Sequence, residues 1–354
     1  MMKILGIFRG FPGLGRVVSG VSLLEELRDK YNCEVKAISY LQGSKYLSQK
    51  GFDETTEVSS SDYCSIGLLP TNKMGANIHA LIKSFQPYLI LIDGEPLVVQ
   101  SIKLSHPNIK VVVLLNPSDV DNPANDKEAM DYFNAMYSLA DLAIVHGLRK
   151  TIGAYSYNHI VSIPTILRRE ILSITQRNGE NIYCVLGGGT VNSNEQFIDS
   201  SIRIAQLCIL LANNIKNRTF HIVCSCEIIA NVLSREELPA NVILHEEILS
   251  PMQIFSDSAL VITRSGRNTL SEVAYLGTPT ISFIAGDSYR KEEQLQNANS
   301  NVCSNITTSS LDVELSDLIT LCENKITSPK IIKNHFEAGN QKAIESILRL
   351  FNEH

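Results

Sequence analysis

A stretch in the C-terminal half of the chain has the residues of a phosphate site. An apolar run over 260–263 leads into Arg264, Ser265 and Gly266, and a segment with helical spacing follows. A small residue and a glycine at the start of a helix leave backbone N–H groups open to an anion, and the helix dipole favours negative charge there. Glu272, expected in the first turn or so of that helix, could accept a hydrogen bond from a nearby hydroxyl. The pattern predicts a site for a phosphorylated sugar or a nucleotide.

Two carboxylates, Asp93 and Glu95, follow an apolar run at 89–92. Ligands of open α/β sheets bind at the carboxyl ends of the strands, so either group is a candidate general base for an acceptor hydroxyl. Pro96 biases Glu95 toward an extended conformation, and we therefore favour Glu95 as the base, with Asp93 bracing the turn. The alternative for both is N-capping of the next helix. His146, at the end of another predicted strand, is a third candidate base.

Two glycine-rich turns follow predicted strands, one in each half of the chain. Gly13, Gly15 and Arg16 lie in the first, where glycine lets the backbone approach a ligand closely. A dinucleotide fingerprint would need a third glycine in place of Val18, which disfavours NAD binding. Arg16 cannot act as a base at physiological pH and is expected to bind an anionic group. The second turn is suited to backbone contact with a ligand and consists of Gly187, Gly188, Gly189 and Thr190.

The phosphate turn resembles a family signature. The pattern R-S-G-x-x-T-x-x-E-x-x-x-x-G-x-P, from Arg264 to Pro279, is similar to the donor-binding signature of MurG-like, family 28-related GT-B glycosyltransferases. The resemblance continues in the E-Q-x-x-N-A element at 293–298. The first glycine turn resembles the G-x-G-H-x-x-R/P loop of these enzymes, with Arg16 where they usually have histidine. The segment 87–96 is similar to their P-D-L-V-I-x-D-x-E-P element.

The resemblance implies a GT-B fold, in which two Rossmann-like domains carry parallel sheets that face across a cleft. It also implies an inverting, metal-independent transferase that moves a sugar from a nucleotide sugar, a UDP-hexose or UDP-N-acetylhexosamine, to an acceptor hydroxyl. Backbone amides and a helix dipole would stabilise the leaving diphosphate in place of a metal ion, and no cofactor is expected. No partner beyond donor and acceptor is implied, although a lipid-linked acceptor would bring peripheral membrane association.

The same resemblance assigns roles within the donor site. Ile248 would read the nucleobase through its backbone, and Glu272 would hold the ribose. Glu293 and Gln294 would select the sugar. The donor site implied in this way comprises Gly187, Gly188, Gly189, Thr190, Ile248, Arg264, Ser265, Gly266, Thr269, Glu272, Glu293 and Gln294.

The alternation of short apolar runs with helical patterns predicts parallel sheets with crossover helices. Strands are predicted at 4–8, 34–39, 89–93, 110–115, 142–145, 182–186, 219–224, 242–244, 260–263 and 280–284, and helices at 19–30, 78–85, 194–213 and 269–276. The alternation of strand and helix patterns restarts after a polar segment at 164–180. We therefore predict an N-terminal Rossmann-like acceptor domain over 1–165 and a C-terminal donor domain over 180–332. A final helix over 333–354 is expected to cross back to the N-terminal domain.

Composition restricts the function class further. A net charge of −6 argues against non-specific nucleic-acid binding. The eight cysteines are spread out with no metal-ligand spacing, which indicates reduced thiols rather than a metal site. The first residues lack the pattern of a signal peptide, so a cytoplasmic location is expected.

Two other functions stay open. A GT-B-fold UDP-N-acetylhexosamine 2-epimerase or a nucleotide-sugar hydrolase would turn over the donor without an acceptor. A non-catalytic nucleotide-sugar-binding partner of another transferase would bind without turnover, and the replacement of histidine by Arg16 is the feature that favours it.

Overall fold

The chain folds into two units in this computed structural model. The structure describes residues 1–10, 13–52, 73–175, 179–187, 195–224, 226–247, 249–285, 288–300, 304–327 and 336–352. The first unit comprises Met1–Arg168 and Ala338–His354, and the second comprises Arg169–Glu337. The change from one unit to the other falls within the polar segment at 164–180.

The first unit is built on a parallel sheet. Its strands are β1 (Lys3–Phe8), β2 (Glu34–Ile38), β3 (Leu89–Asp93), β4 (Lys110–Leu115), β5 (Leu142–His146) and β6 (Ile160–Ile163), in the order β2-β1-β3-β4-β5-β6. The helices between them are α1 (Gly15–Tyr31), α2 (Gln42–Gln49), α3 (Lys73–Phe85), α4 (Pro96–Ser105), α5 (Pro117–Val120) and α6 (Lys127–Tyr137). Both faces of the sheet are buried, because Leu5 and Ile7 join one apolar cluster while Ile4 and Phe8 join another. This explains why the strands read as continuous apolar runs.

The second unit is built on another parallel sheet. Its strands are β7 (Asn181–Val185), β8 (Phe220–Val223), β9 (Val242–His245), β10 (Ser258–Arg264), β11 (Thr280–Phe283) and β12 (Ile306–Ser309), in the order β12-β11-β10-β7-β8-β9. Its helices are α7 (Arg169–Ser173), α8 (Glu195–Asn214), α9 (Glu227–Leu233), α10 (Pro251–Phe255), α11 (Arg267–Leu276), α12 (Ser288–Ala298) and α13 (Leu315–Thr327). Side chains of β7, β10 and α8 share one apolar cluster.

The last helix, α14 (Asn340–Asn352), belongs to the first unit. Its side chains Ala343, Ile344 and Ile347 are fully buried in the cluster that also contains residues of α1. Asn340 fixes its start, since its amide accepts a hydrogen bond from Leu167 N at 2.9 Å and donates one to Ser22 Oγ at 3.1 Å.

The predicted strands are all present, and the sequence missed β6 and β12. Both are edge strands of four residues in which polar residues interrupt the apolar run, Ser162 in β6 and Thr307 to Ser309 in β12. Helices α1 and α11 begin before their predicted starts. Their N-cap residues, Leu14 and Gly266, make no side-chain capping bond, and the Ser, Thr, Asp or Asn signal of a helix start is therefore missing.

Among the described residues, no helix has the length and apolar character needed to cross a bilayer.

Candidate active site

Each sheet has one point at which its winding reverses. In the first unit this point lies between β1 and β3, and in the second it lies between β7 and β10. The crossover helices leave in opposite directions there, which opens a crevice at the carboxyl ends of the two strands, where ligands of open α/β sheets bind. The predicted site residues Asp93 and Glu95 lie at the first switch point, while Gly187 and Ser265 lie at the second.

The predicted donor turn, from Arg264 to Gly266, lies at the second switch point and is fixed by hydrogen bonds on several sides. Ser265 N donates to Phe283 O at 3.0 Å, and Ser265 Oγ is 3.0 Å from Ser282 Oγ. Gly266 is the exposed N-cap of α11, and it has no side chain to cover the N–H groups of the first helical turn. Asn297, from the E-Q-x-x-N-A element, donates to Ser265 O at 3.2 Å. The two motifs that the sequence separates are therefore parts of one structure.

Glu272 lies deeper in α11 than expected. The helix begins at Arg267, so Glu272 is in its second turn, just beyond the first turn that the sequence favoured. The reason is the early start of the helix at a glycine that carries no capping side chain. Glu272 is buried, with 2% of its surface exposed. Thr269, in the first turn, is half-buried.

The two residues predicted to select the sugar lie on α12. Gln294 is buried, and its amide makes two hydrogen bonds with the backbone of Ala285: Ala285 N donates to Oε1 at 2.8 Å, and Nε2 donates to Ala285 O. This amide holds the segment that follows β11. A sugar that bound the Gln294 side chain would hydrogen-bond to amide atoms that already bind the backbone of Ala285. Glu293 is half-buried. The sugar-selecting role of both residues stays a prediction.

Of the remaining predicted donor residues, the structure describes two, and four others lie outside the described ranges. Gly187 follows β7 with a φ of +72°, a left-handed conformation that favours glycine. Arg264 ends β10 and is buried against α8, where its guanidinium donates hydrogen bonds within the chain. Four predicted donor residues lie outside the described residues: Gly188, Gly189, Thr190 and Ile248.

Arg16, at the first switch point, binds carboxylates of its own chain. Its guanidinium donates to Asp93 Oδ1 at 2.7 Å and to the two oxygens of Asp119 at 2.8 and 3.0 Å. Burial opposes the charge of Arg16, but Asp119 and Asp93 outweigh it and hold the pKa of Arg16 well above its ordinary value. The anionic group expected opposite Arg16 is therefore this pair of carboxylates. Gly13 and Gly15 flank the start of α1, where Gly15 is the first helical residue.

Asp119 is a site residue that the sequence analysis missed. It follows β4 in α5, where Asn116 and Asp119 form a capping box, and Asn116 N donates to Asp119 Oδ2 at 2.8 Å. Burial alone would raise the pKa of Asp119, but Arg16 and the Asn116 N–H lower it below its usual value. The segment Asn116-Pro117-Ser118-Asp119 has the composition of a helix start, and this signal could have placed Asp119 at the sheet edge.

Glu95 is enclosed by two polar side chains that the sequence analysis did not connect with it. Tyr40 Oη donates to Glu95 Oε1 at 2.6 Å, and Arg9 Nε lies 3.7 Å from the same oxygen. Glu95 is 1% exposed. Burial raises the pKa of Glu95 to about 7, against the opposing effects of Arg9 and Tyr40. Gly94, between Asp93 and Glu95, has a φ of +88° and lets the chain turn beside the two arginines.

The alternative of N-capping is wrong for this pair. Glu95 occupies the N-cap position of α4, yet its side chain makes no capping bond, and its carboxylate contacts Tyr40 and Arg9 instead. Asp93 lies outside the cap position and pairs with Arg16.

His146, at the end of β5, is fully buried. Its Nδ1 accepts a hydrogen bond from Ile166 N at 3.3 Å. His146 ends β5 and Glu95 follows β3, so both lie at the carboxyl edge of the same sheet, on strands that are separated by β4.

In the part of the chain that the structure describes, no group of three or more His, Cys, Asp or Glu side chains is arranged to hold a metal ion. The described cysteines are free thiols: Cys33, Cys184, Cys208, Cys224, Cys226 and Cys322.

Comparison with known proteins agrees with this geometry. Residues 241–343 match the model of the glycosyltransferase family 28 C-terminal domain. This range contains the donor turn, α11 and the E-Q-x-x-N-A element on α12. No curated protein matches the sequence.

Solved structures share the fold over the whole chain at low sequence identity. The glycotransferase of kitacinnamycin is 13% identical with a TM-score of 0.63, covering 98% of both chains. MurG of Acinetobacter baumannii is 14% identical with a TM-score of 0.58, covering 98% of this chain and 99% of its own. The UDP-GlcNAc 2-epimerase of Methanocaldococcus jannaschii is 13% identical with a TM-score of 0.61, covering 100% of both chains.

These structures confirm the predicted fold class, in which two Rossmann-like units each carry a parallel sheet. The chain therefore has the GT-B fold and carries a glycosyltransferase family 28 C-terminal domain over residues 241–343, and these findings support a glycosyltransferase enzyme.

Proposed function

We propose that this protein is an inverting, metal-independent transferase that moves a hexosyl or N-acetylhexosaminyl group from a UDP-sugar to an acceptor hydroxyl. The observation that carries the proposal is the donor turn. Gly266 opens α11 without a covering side chain, and Asn297 holds the preceding carbonyl. This turn lies at the switch point of the second sheet, within the family 28 domain.

The chemistry follows from where charge develops. As the glycosidic bond breaks, negative charge accumulates on the leaving diphosphate. Backbone N–H groups at the start of α11, together with the helix dipole, stabilise that charge in the way that a metal ion does in other transferases. Glu272 holds the ribose of the nucleotide, and attack by the acceptor from the opposite side of the anomeric carbon inverts its configuration.

The acceptor hydroxyl needs a base, and Glu95 is our choice. A pKa near 7 suits a base that works at neutral pH, because the group is both partly ionised and strong enough to take a proton. Tyr40 and Arg9 approach Oε1, which leaves Oε2 as the atom that takes the proton. Asp93 is engaged with Arg16 and serves to hold that arginine in place.

A specific observation favours a second candidate, a UDP-N-acetylhexosamine 2-epimerase. An epimerase of this kind shares the fold over the full length of the chain. The two activities differ in their need for an acceptor, since only the transferase requires one. A non-catalytic nucleotide-sugar-binding partner would show neither activity.

The first prediction is that UDP release depends on an acceptor. UDP-sugars and dTDP-sugars are screened by thermal shift, and a donor at 100 times its dissociation constant is expected to stabilise the protein by about 2.7 kcal/mol. The stabilising donor is then incubated with and without hydroxyl-bearing acceptors, including lipid-linked ones. Sugar transfer with inverted anomeric configuration supports the proposal. Inversion at C2 of the sugar without any acceptor means that the protein is an epimerase.

The second prediction concerns metal ions. Because helix N–H groups carry the charge of the leaving diphosphate, the transfer rate is expected to stay within about twofold of its value when excess EDTA is added. The measurement compares initial rates with EDTA, with Mg²⁺ and with Mn²⁺. Loss of activity in EDTA that either cation restores contradicts the proposed donor site.

The third prediction concerns Glu272. Replacing Glu272 by Gln removes a charge-assisted hydrogen bond to the ribose, and the affinity for UDP is expected to fall about 10- to 100-fold. Isothermal titration calorimetry measures the dissociation constant. Glu236→Gln is the matched control, because Glu236 lies in the same unit and contacts Gln206. Unchanged UDP affinity in Glu272→Gln rules out the ribose contact.

The fourth prediction concerns the base. In single turnovers with donor bound, Glu95→Gln is expected to lower the transfer rate about 10²- to 10⁴-fold. The wild-type rate is expected to rise with pH and level off above a midpoint near 7, because Glu95 must lose its proton to act as a base. Glu95→Gln should lose this dependence.

Two further variants make the comparison decisive. Asp93→Asn tests the neighbouring carboxylate, and His146→Asn tests the buried histidine. Donor affinity is measured separately for each variant, so that a loss of binding is not mistaken for a loss of the base. A near-normal rate for Glu95→Gln together with an inactive His146→Asn identifies the histidine as the base instead.

A further inference from the structure

Arg264, the last residue of β10, is bound to the helix of a different strand. One of its terminal nitrogens, Nη2, lies within hydrogen-bonding distance of three oxygens: Phe197 O at 2.7 Å, Ser200 Oγ at 2.7 Å and Ser201 Oγ at 2.6 Å. Its two N–H groups are shared among these three acceptors. The guanidinium also lies over the ring of Phe197, with its carbon 4.3 Å from the ring centroid. Planar stacking combined with directed hydrogen bonds is a geometry that arginine provides and lysine does not.

These contacts join the two sides of the switch point in the second sheet. Phe197 and Ser201 lie in the first two turns of α8, the helix that follows β7, while Arg264 ends β10. The adjoining residue Thr263 donates to Val185 O at 2.9 Å, so the strands beneath are also tied together. The side chain of Arg264 therefore spans the pair of elements between which a ligand of this sheet would bind.

The location is electrostatically unfavourable for a cation on its own. The start of a helix carries partial positive charge, which repels a guanidinium, and burial of the guanidinium adds to the cost. Contacts with a carbonyl, two hydroxyls and an aromatic face offset both effects. Because all of these contacts are with the first turns of α8, they indicate that Arg264 determines the position of the helix start.

We infer that Arg264 is a positioning residue that holds the start of α8 against the end of β10. It thereby sets the spacing of the switch point at which the donor diphosphate binds, and it acts on the diphosphate through α8 rather than by contact. This inference rests on the proposed function for its effect on the donor. The bracing of α8 itself is independent of any ligand.

The test separates geometry from charge. Arg264→Lys keeps the positive charge but loses the planar group that stacks and reaches three acceptors. If Arg264 braces α8, Arg264→Lys and Arg264→Met are expected to weaken UDP binding to a similar extent, about tenfold. If its charge attracts the diphosphate directly, Arg264→Lys keeps an affinity close to that of the wild type, and the inference is overturned.

The serines on α8 give the second arm. The double substitution Ser200→Ala with Ser201→Ala removes two acceptors of Arg264 without changing any charge, and it is expected to weaken UDP binding in the same direction. Combined with Arg264→Met, it should add little further loss, because both changes remove the same brace. Unchanged UDP affinity in the serine variant, or full additivity with Arg264→Met, contradicts the inference.

A control and a ligand-free measurement complete the design. Thr280→Val removes another buried hydroxyl, which donates to Thr278 O at 2.9 Å at the start of β11, and it should lower Tm while leaving UDP affinity unchanged. Hydrogen exchange of the first turns of α8 is expected to be faster in Arg264→Met than in the wild type or in Thr280→Val. Equal exchange rates overturn the brace. If the wild-type protein binds neither UDP nor dTDP and hydrogen exchange in α8 is still faster in Arg264→Met, the bracing by Arg264 is supported and the proposed function is refuted.

Discussion

The constraint on which this structure depends is the burial of both faces of each parallel sheet. Apolar clusters cover the two sides of the first sheet, and β10 is buried along its whole length in the second. Backbone groups inside such a sheet are already paired, so polar chemistry is confined to the strand ends. The reversal of winding then selects one pair of strand ends in each sheet, between β1 and β3 and between β7 and β10. The motifs whose residues could bind a ligand or take part in catalysis lie at these two pairs of strand ends.

An arginine is part of each switch point, and the two side chains are held in different ways. Arg16 is paired with two carboxylates, which makes a charged network that is costly to break because removal of one partner leaves buried charge behind. Arg264 is held by a carbonyl, hydroxyls and an aromatic ring. These contacts fix the position of its guanidinium between β10 and α8, whereas the contacts of Arg16 offset its charge with negative charge.

The sequence predicted most of the described strands and the turns that end them, because both leave local signals. Edge strands β6 and β12 were missed since polar residues interrupt their short apolar runs. The partners of the site residues were harder to predict. Tyr40 and Glu95 are 55 positions apart, and Arg16 and Asp119 are 103 apart; no local pattern connects them. For Gln294 a local motif did exist, and it predicted that the residue is important. The motif did not predict that its amide binds the backbone of Ala285.

The environment of Glu95 shows why its contacts matter for a base. Burial without partners would raise the pKa of this carboxyl further, and the group would then stay protonated at neutral pH. Arg9, and to a smaller extent Tyr40, oppose that effect by stabilising the ionised form, so that the pKa comes to about 7. An exposed glutamate, with a pKa near 4.3, would be ionised but a weak base. The same two residues also fix Oε1 in place. The ionisation and the orientation of Glu95 therefore have one common origin, a buried pocket formed by residues that follow β1, β2 and β3.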